Sequence, residues 1–142
     1  MESEESVPER HFFGVVPVFL VDDVVATAEH YRDALGFEID FVYGEEPMYS
    51  RVTRGDAVLD FSLSRPAGRR NSVTAAGPGG GVDALVVVND VDGLYAELIA
   101  RGAKITRELA SHEYGMREFH IEDINGYVIV FTQEIETGEE GE

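Results

Sequence analysis

The feature that most constrains the fold is an internal repeat. Val21-Asp22-Asp23-Val24 and Val88-Asn89-Asp90-Val91 each follow an apolar run, Val15 to Leu20 and Ala84 to Val87. Each opens a segment of helical period. In the first, Val24, Ala28, Tyr31 and Leu35 recur at i, i+4, i+7 and i+11. In the second, Val91, Leu94, Tyr95, Leu98 and Ile99 do the same. Asp23 and Asp90 stand 67 residues apart, and Gly36 and Gly102, which close the two helices, 66 apart. The Asp at each junction is suited to accept a hydrogen bond from a free N–H of the first turn. The Gly is suited to a left-handed closing position. Such self-similarity means two copies of one structural unit.

Each unit continues in the same way. A strand follows the helix, Phe37 to Tyr43 and then Ala103 to Leu109. Two further strands follow in each half. Met48 to Thr53 and Ala57 to Leu63 flank Arg54-Gly55-Asp56, while Met116 to Ile121 and Tyr127 to Thr132 flank Asp123-Ile124-Asn125-Gly126. The order is β-α-β-β-β, twice, an α+β chain. Strand alternation puts Tyr127, Ile129 and Phe131 on the face turned to the helix and Val128, Val130 and Thr132 on the other. One helix covers one face, so the second must meet the other half, a second chain or a ligand. The expected layout is module one at 12–64, a linker at 65–81 rich in Gly, Pro and Arg, and module two at 82–133. Acidic, disordered tails at 1–11 and 134–142 flank them.

Charge limits the partners. The chain of 142 residues carries 28 Asp and Glu against 11 Lys and Arg, for a net charge of −17. Residues 1–10 contribute four Glu and one Arg, and residues 134–142 five Glu, which leaves −17 + 3 + 5 = −9 on the body. Such a body disfavours nucleic acid and favours a cationic ligand. No apolar run is long enough to span a bilayer. With no Cys, thiolate metal sites, disulfides and a cysteine nucleophile are excluded. A cytoplasmic location is expected.

Three stretches then carry a family resemblance. They are Pro17 to Val24 running on to His30-Tyr31-Arg32-Asp33-Ala34-Leu35-Gly36-Phe37; Tyr49 to Phe61; and Tyr114-Gly115-Met116-Arg117-Glu118-Phe119-His120-Ile121-Glu122-Asp123 with Gly126 and Val130-Phe131. Together they resemble the vicinal oxygen chelate superfamily of glyoxalases, bleomycin resistance proteins and dioxygenases, and within it the bleomycin-resistance type. Two departures stand out. The turn reads Asp123-Ile124-Asn125-Gly126-Tyr127 where the family usually has Asp-Pro-Asp-Gly-Asn, and Asp60 stands where antibiotic-binding members often have His. The resemblance implies a curved mixed sheet around a cup, a homodimer and, in metal-dependent members, four ligands that map to Val16, Asp60, Asp83 and Val130.

Two of those four are valines, which have no lone pair to offer a metal. Asp60 and Asp83 alone fall short of the three or more protein ligands of an ordinary catalytic site. The expectation is therefore a protein without metal or other cofactor. It would bind a small cationic or aromatic molecule, such as an antibiotic, through Asp60, Asp83, His120, Glu118, Tyr49 and Tyr114. Asp60 and Asp83 would act as anionic groups in the cup, or be merely hydrogen-bonded at its rim. His120, on a strand between Phe119 and Ile121, faces the cup or solvent with Glu118, although a lone strand His is often structural. Tyr49 and Tyr114 would offer aromatic planes. His11, His30 and His112 fall before a strand, on a helix flank and in a polar loop. Arg65, Arg69 and Arg70 belong to the linker, read as a hinge or a lid. Two alternatives stay open: a metal-dependent lyase, isomerase or dioxygenase using Asp60, Asp83 and His120, and a module whose cup has filled with side chains.

Overall fold

The computed structural model describes residues 8–64 and 81–136. The linker apart from Gly81 and the outer parts of both tails lie outside the described residues. The chain forms β1 (Val18–Val21), α1 (Val24–Leu35), β2 (Glu38–Tyr43), β3 (Tyr49–Arg54) and β4 (Ala57–Leu63). It then repeats them as β5 (Ala84–Val87), α2 (Val91–Arg101), β6 (Lys104–Ser111), β7 (Met116–Glu122) and β8 (Val128–Glu134). The strands make two four-stranded sheets of identical topology, β1-β4-β3-β2 and β5-β8-β7-β6. In each, the first strand runs parallel to the last and the other pairings are antiparallel.

The helices start and stop where their capping residues dictate. The Asp23 carboxylate accepts from the N–H groups of Val25 and Ala26, and Asp90 accepts from Gly93. Gly36 closes α1 at φ 76°. Glycine suits this left-handed backbone, and a Cβ here would make the Arg54 guanidinium shift. On α1, Val24, Ala28, Tyr31 and Leu35 are buried with Thr27. On α2 only Val91 and Leu98 are fully buried, and Ile99 is exposed.

Several strand ends shift by one to three residues from the expected boundaries, and two of the shifts have a clear cause. β1 begins at Val18, not Val15, and Val15 is 88% exposed. Pro17 has no N–H with which to carry the ladder toward Val15, although its carbonyl accepts from Asp60. β8 runs past Thr132 to Glu134, because Met116 supplies a cross-strand partner for it.

The helix-facing residues of both sheets join a single core. It includes Phe19, Leu59 and Phe61 from one half and Phe119, Ile129 and Phe131 from the other, with both helices between. Each helix also reaches the final hairpin turn of the opposite module. From α1, the Tyr31 hydroxyl donates to Asp123 at 2.7 Å, and Thr27 accepts from the Asn125 amide at 3.1 Å. From α2, Glu97 accepts two bonds from Arg54, at 2.8 and 3.0 Å. Phe19 stacks on Tyr127 at 4.6 Å. With the helices inside, the other faces of both sheets turn outward. Edge strands β1 and β5 there expose Val18, Leu20, Leu85 and Val87, at 50, 40, 58 and 71%. Val130 and Thr132 on the outer face of central strand β8 are nevertheless buried.

Candidate functional site

The two outer faces carry corresponding rows of side chains. Across module one, strand register aligns Val18, Asp60, Arg51 and Phe41. Across module two it aligns Leu85, Val130, His120 and Arg107. The neighbouring rows are Leu20, Ser62, Tyr49 and Tyr43, and Val87, Thr132, Glu118 and Ala110.

Module one gathers its polar groups around Asp60. The carboxylate is buried. It takes a two-pronged grip from the Arg51 guanidinium at 2.7 and 3.0 Å, and the Tyr49 hydroxyl donates to it at 2.5 Å. Burial pushes the Asp60 pKa up, but the bonds from Arg51 and Tyr49 outweigh it and hold the group below its ordinary value. Tyr49 is moved upward by the same bond. The Arg51 guanidinium sits 5.2 Å from the centre of the Phe41 ring, and Phe41 stacks on Tyr49 at 6.3 Å. Asp60 is therefore not an open anion awaiting a cationic ligand, because its charge is already balanced by Arg51. Arg51 is the residue that sequence reasoning missed. The turn at Arg54 to Ala57 makes 54 and 57 partners, and counting back along both strands puts 51 opposite 60.

Module two arranges its groups differently. The Tyr114 hydroxyl donates to Glu118 at 2.7 Å. The His112 ring lies parallel to Tyr114 at 4.9 Å, with 1° between their planes. His120 is half-buried opposite Arg107. Burial lowers its pKa, and the Arg107 charge lowers it further. Glu118 and His120 thus share the outer face, and the hydroxyl bond brings Tyr114 to it.

Asp83 does not join either group. It precedes β5, pairs with Val128 rather than Val130, and accepts from the Val128 N–H at 2.9 Å. Its charge acts on Tyr31, which is buried among the helices. Asp60, Asp83 and His120 thus occupy the outer face of one sheet, the approach to β5 and the outer face of the other sheet.

The donor chemistry does not fit the metal centre of the metal-dependent members. Val16 and Val130 are hydrocarbon, Asp60 is spent on Arg51 and Tyr49, and Asp83 is bonded to backbone. The partners of Asp60 and Val130 on the first strands, Val18 and Leu85, are hydrocarbon too. Among the described residues, no three His, Asp or Glu are placed to hold a metal ion. A cleft of about 980 Å³ opens between the β3–β4 hairpin and β5, and none of the six candidate residues lines it. Among the described residues, no helix is long and apolar enough to cross a membrane.

The chain belongs to the Glyoxalase/Bleomycin resistance protein/Dioxygenase superfamily, whose family model matches residues 11–131. No curated protein matches it. Among solved structures it is similar to the bleomycin-binding protein of Streptomyces verticillus complexed with copper(II)-bleomycin. That pair shares 26% identity over 90% of this chain and 99% of that one, with a TM-score of 0.63. It is also similar to TioX from Micromonospora sp. ML1, at 20% identity, 84% and 97% coverage and a TM-score of 0.67. A second bleomycin-binding protein, complexed with bleomycin, matches at 18% identity, 87% and 99% coverage and a TM-score of 0.68.

Proposed function

We propose that the chain is a cytoplasmic, metal-free homodimer that holds an aromatic small molecule against the outer faces of its sheets. The observation that carries this reading is the Arg51–Asp60–Tyr49 cluster. The one buried carboxylate at a mapped ligand position already has its three hydrogen bonds, and its structural counterpart in module two is Val130. A metal would have to break a charge-balanced pair and would gain hydrocarbon neighbours. The aromatic groups support a planar ligand: Phe41 and Tyr49 on one face, His112 and Tyr114 on the other. The Streptomyces verticillus relative, complexed with copper(II)-bleomycin, supports a bound molecule over a transformed one. The apolar strips at Val18, Leu20, Leu85 and Val87 support a second copy as their cover. Light scattering is expected to give twice 15.6 kDa.

The test is calorimetric titration of the purified chain with metal-free bleomycin and a panel of planar aromatic compounds, before and after chelator treatment. The reading expects saturable binding to at least one compound, no chemical change in it, and no loss of affinity after chelation. Stoichiometric transition metal in protein purified without chelator, or turnover that chelator abolishes, contradicts it.

A further inference from the structure

The basic groups of this chain are scarce and almost all are spent. Among the described residues, Arg32, Arg51, Arg54, Arg101, Lys104 and Arg117 each sit in an ion pair with a carboxylate. Arg10 and Arg107 do not. Arg10 lies in the N-terminal approach to the fold, whereas Arg107 stands exposed on the edge strand β6, at the end of the outer-face row of module two. It has no carboxylate of its own although carboxylates outnumber basic groups 28 to 11. Around it, His120 is its cross-strand partner, and the charges of Arg107 and His112 both act on His120. On the same face, Glu118 already accepts from Tyr114. The stacked His112 and Tyr114 rings stand at the hairpin end of the same sheet, with Tyr114 64% exposed. One row from His120, the buried Thr132 hydroxyl has no hydrogen-bond partner.

We propose that this face binds the carboxylate of a planar aromatic acid, with Arg107 as the anion-binding fork, His120 as a second donor, and the His112–Tyr114 pair as the stacking surface. This rests on the small-molecule-binding reading above and names the charge of the ligand. A guanidinium with no carboxylate of its own offers two parallel N–H donors to an incoming carboxylate. In module one the equivalent offer is closed, because Asp60 occupies Arg51. The expected ligand is thus an anion in spite of the acidic body. Salt screens the distant carboxylates within about 10 Å, whereas contact with Arg107 is direct.

The test uses 2-naphthoate and the 2-naphthylmethylammonium cation, titrated calorimetrically into the full chain, its Arg107→Gln variant and its Arg32→Gln variant. Arg32 lies on the exposed side of α1, so R32Q makes the same change in net charge away from the face. Wild type and R32Q are expected to bind naphthoate about tenfold more tightly than the cation, and R107Q to lose about tenfold in naphthoate affinity. An unchanged melting temperature would show that R107Q folds. Equal affinities for acid and cation, or equal losses in R107Q and R32Q, would overturn the anion site while leaving the binding-protein reading intact. Binding of neither probe, nor of any compound in the panel above, would overturn both.

Discussion

Module one and module two are the same fold with opposite treatments of one arginine. In module one, Arg51 lies across the ladder from Asp60, and the two neutralise each other under the Tyr49 hydroxyl. In module two, Val130 takes the place of Asp60, His120 that of Arg51, and the arginine moves one strand outward to Arg107. A carboxylate at the centre of a row makes the polar cluster part of the structure. A valine there leaves the guanidinium at the edge of the row without a carboxylate of its own. The cross-module contacts differ in a parallel way. α1 meets the opposite turn through a buried Tyr31–Asp123 hydrogen bond, and α2 through the more exposed Arg54–Glu97 ion pair.

The largest effect is expected where a face is self-satisfied. Asp60→Ala removes the acceptor of three bonds and strands Arg51 and Tyr49, so the melting temperature should fall by about 5–10 °C. A fall no larger than that of an ordinary surface substitution would break the contrast between the faces. Next comes Tyr31→Phe. It takes one hydrogen bond from a buried carboxylate, at a cost of about 1–3 kcal/mol. Chemical denaturation reads this directly, and a neutral result would mean that the turn at Asp123 is held by its backbone bonds from Asn125 and Tyr127 alone.

The two cross-module acids should also respond to acid in opposite directions. The Arg54 guanidinium, with help from Arg101, holds Glu97 at about 2, against 4.5 ordinarily. A depressed pKa stabilises the fold above pH 4.5, and this is lost as pH falls from 4.5 toward 2. Burial moves Asp123 upward instead, so its contribution grows as pH falls through the carboxylate range. Urea midpoints measured from pH 5 to 2.5 should therefore decline less steeply in Glu97→Gln than in wild type. The smallest effect is expected at the open face: Arg107→Ala should move the melting temperature by less than about 2 °C, because no intramolecular partner is lost.

Much of this fold could be read from the residues, because local signals agreed with one another. The Asp caps, the closing glycines and the spacing of 67 each pointed to the same two units. β4 and β5 begin and end where their apolar patterns do. The site was less legible because its chemistry depends on cross-strand partners. Tyr49 and Asp60 were singled out separately, yet what defines Asp60 is Arg51, a residue visible only when the hairpin is counted through its turn. Asp83 was harder to place for another reason. It lies before the strand, where alternation has no hold on side-chain direction, and a backbone N–H claims it. Glu118 and His120 lie two residues apart on one strand, so alternation alone puts them on one face. The linker expectations, Arg65, Arg69 and Arg70 included, fall outside the described residues.

Module one closes its arginine with an ion pair, whereas module two leaves its arginine open to an anion. The most direct measurement is the arginine side-chain Nε–H spectrum of the full chain during titration with 2-naphthoate. The Arg107 resonance is expected to shift progressively to saturation while that of Arg51, held by Asp60, stays in place. Movement of Arg51 with Arg107 unmoved would contradict this contrast.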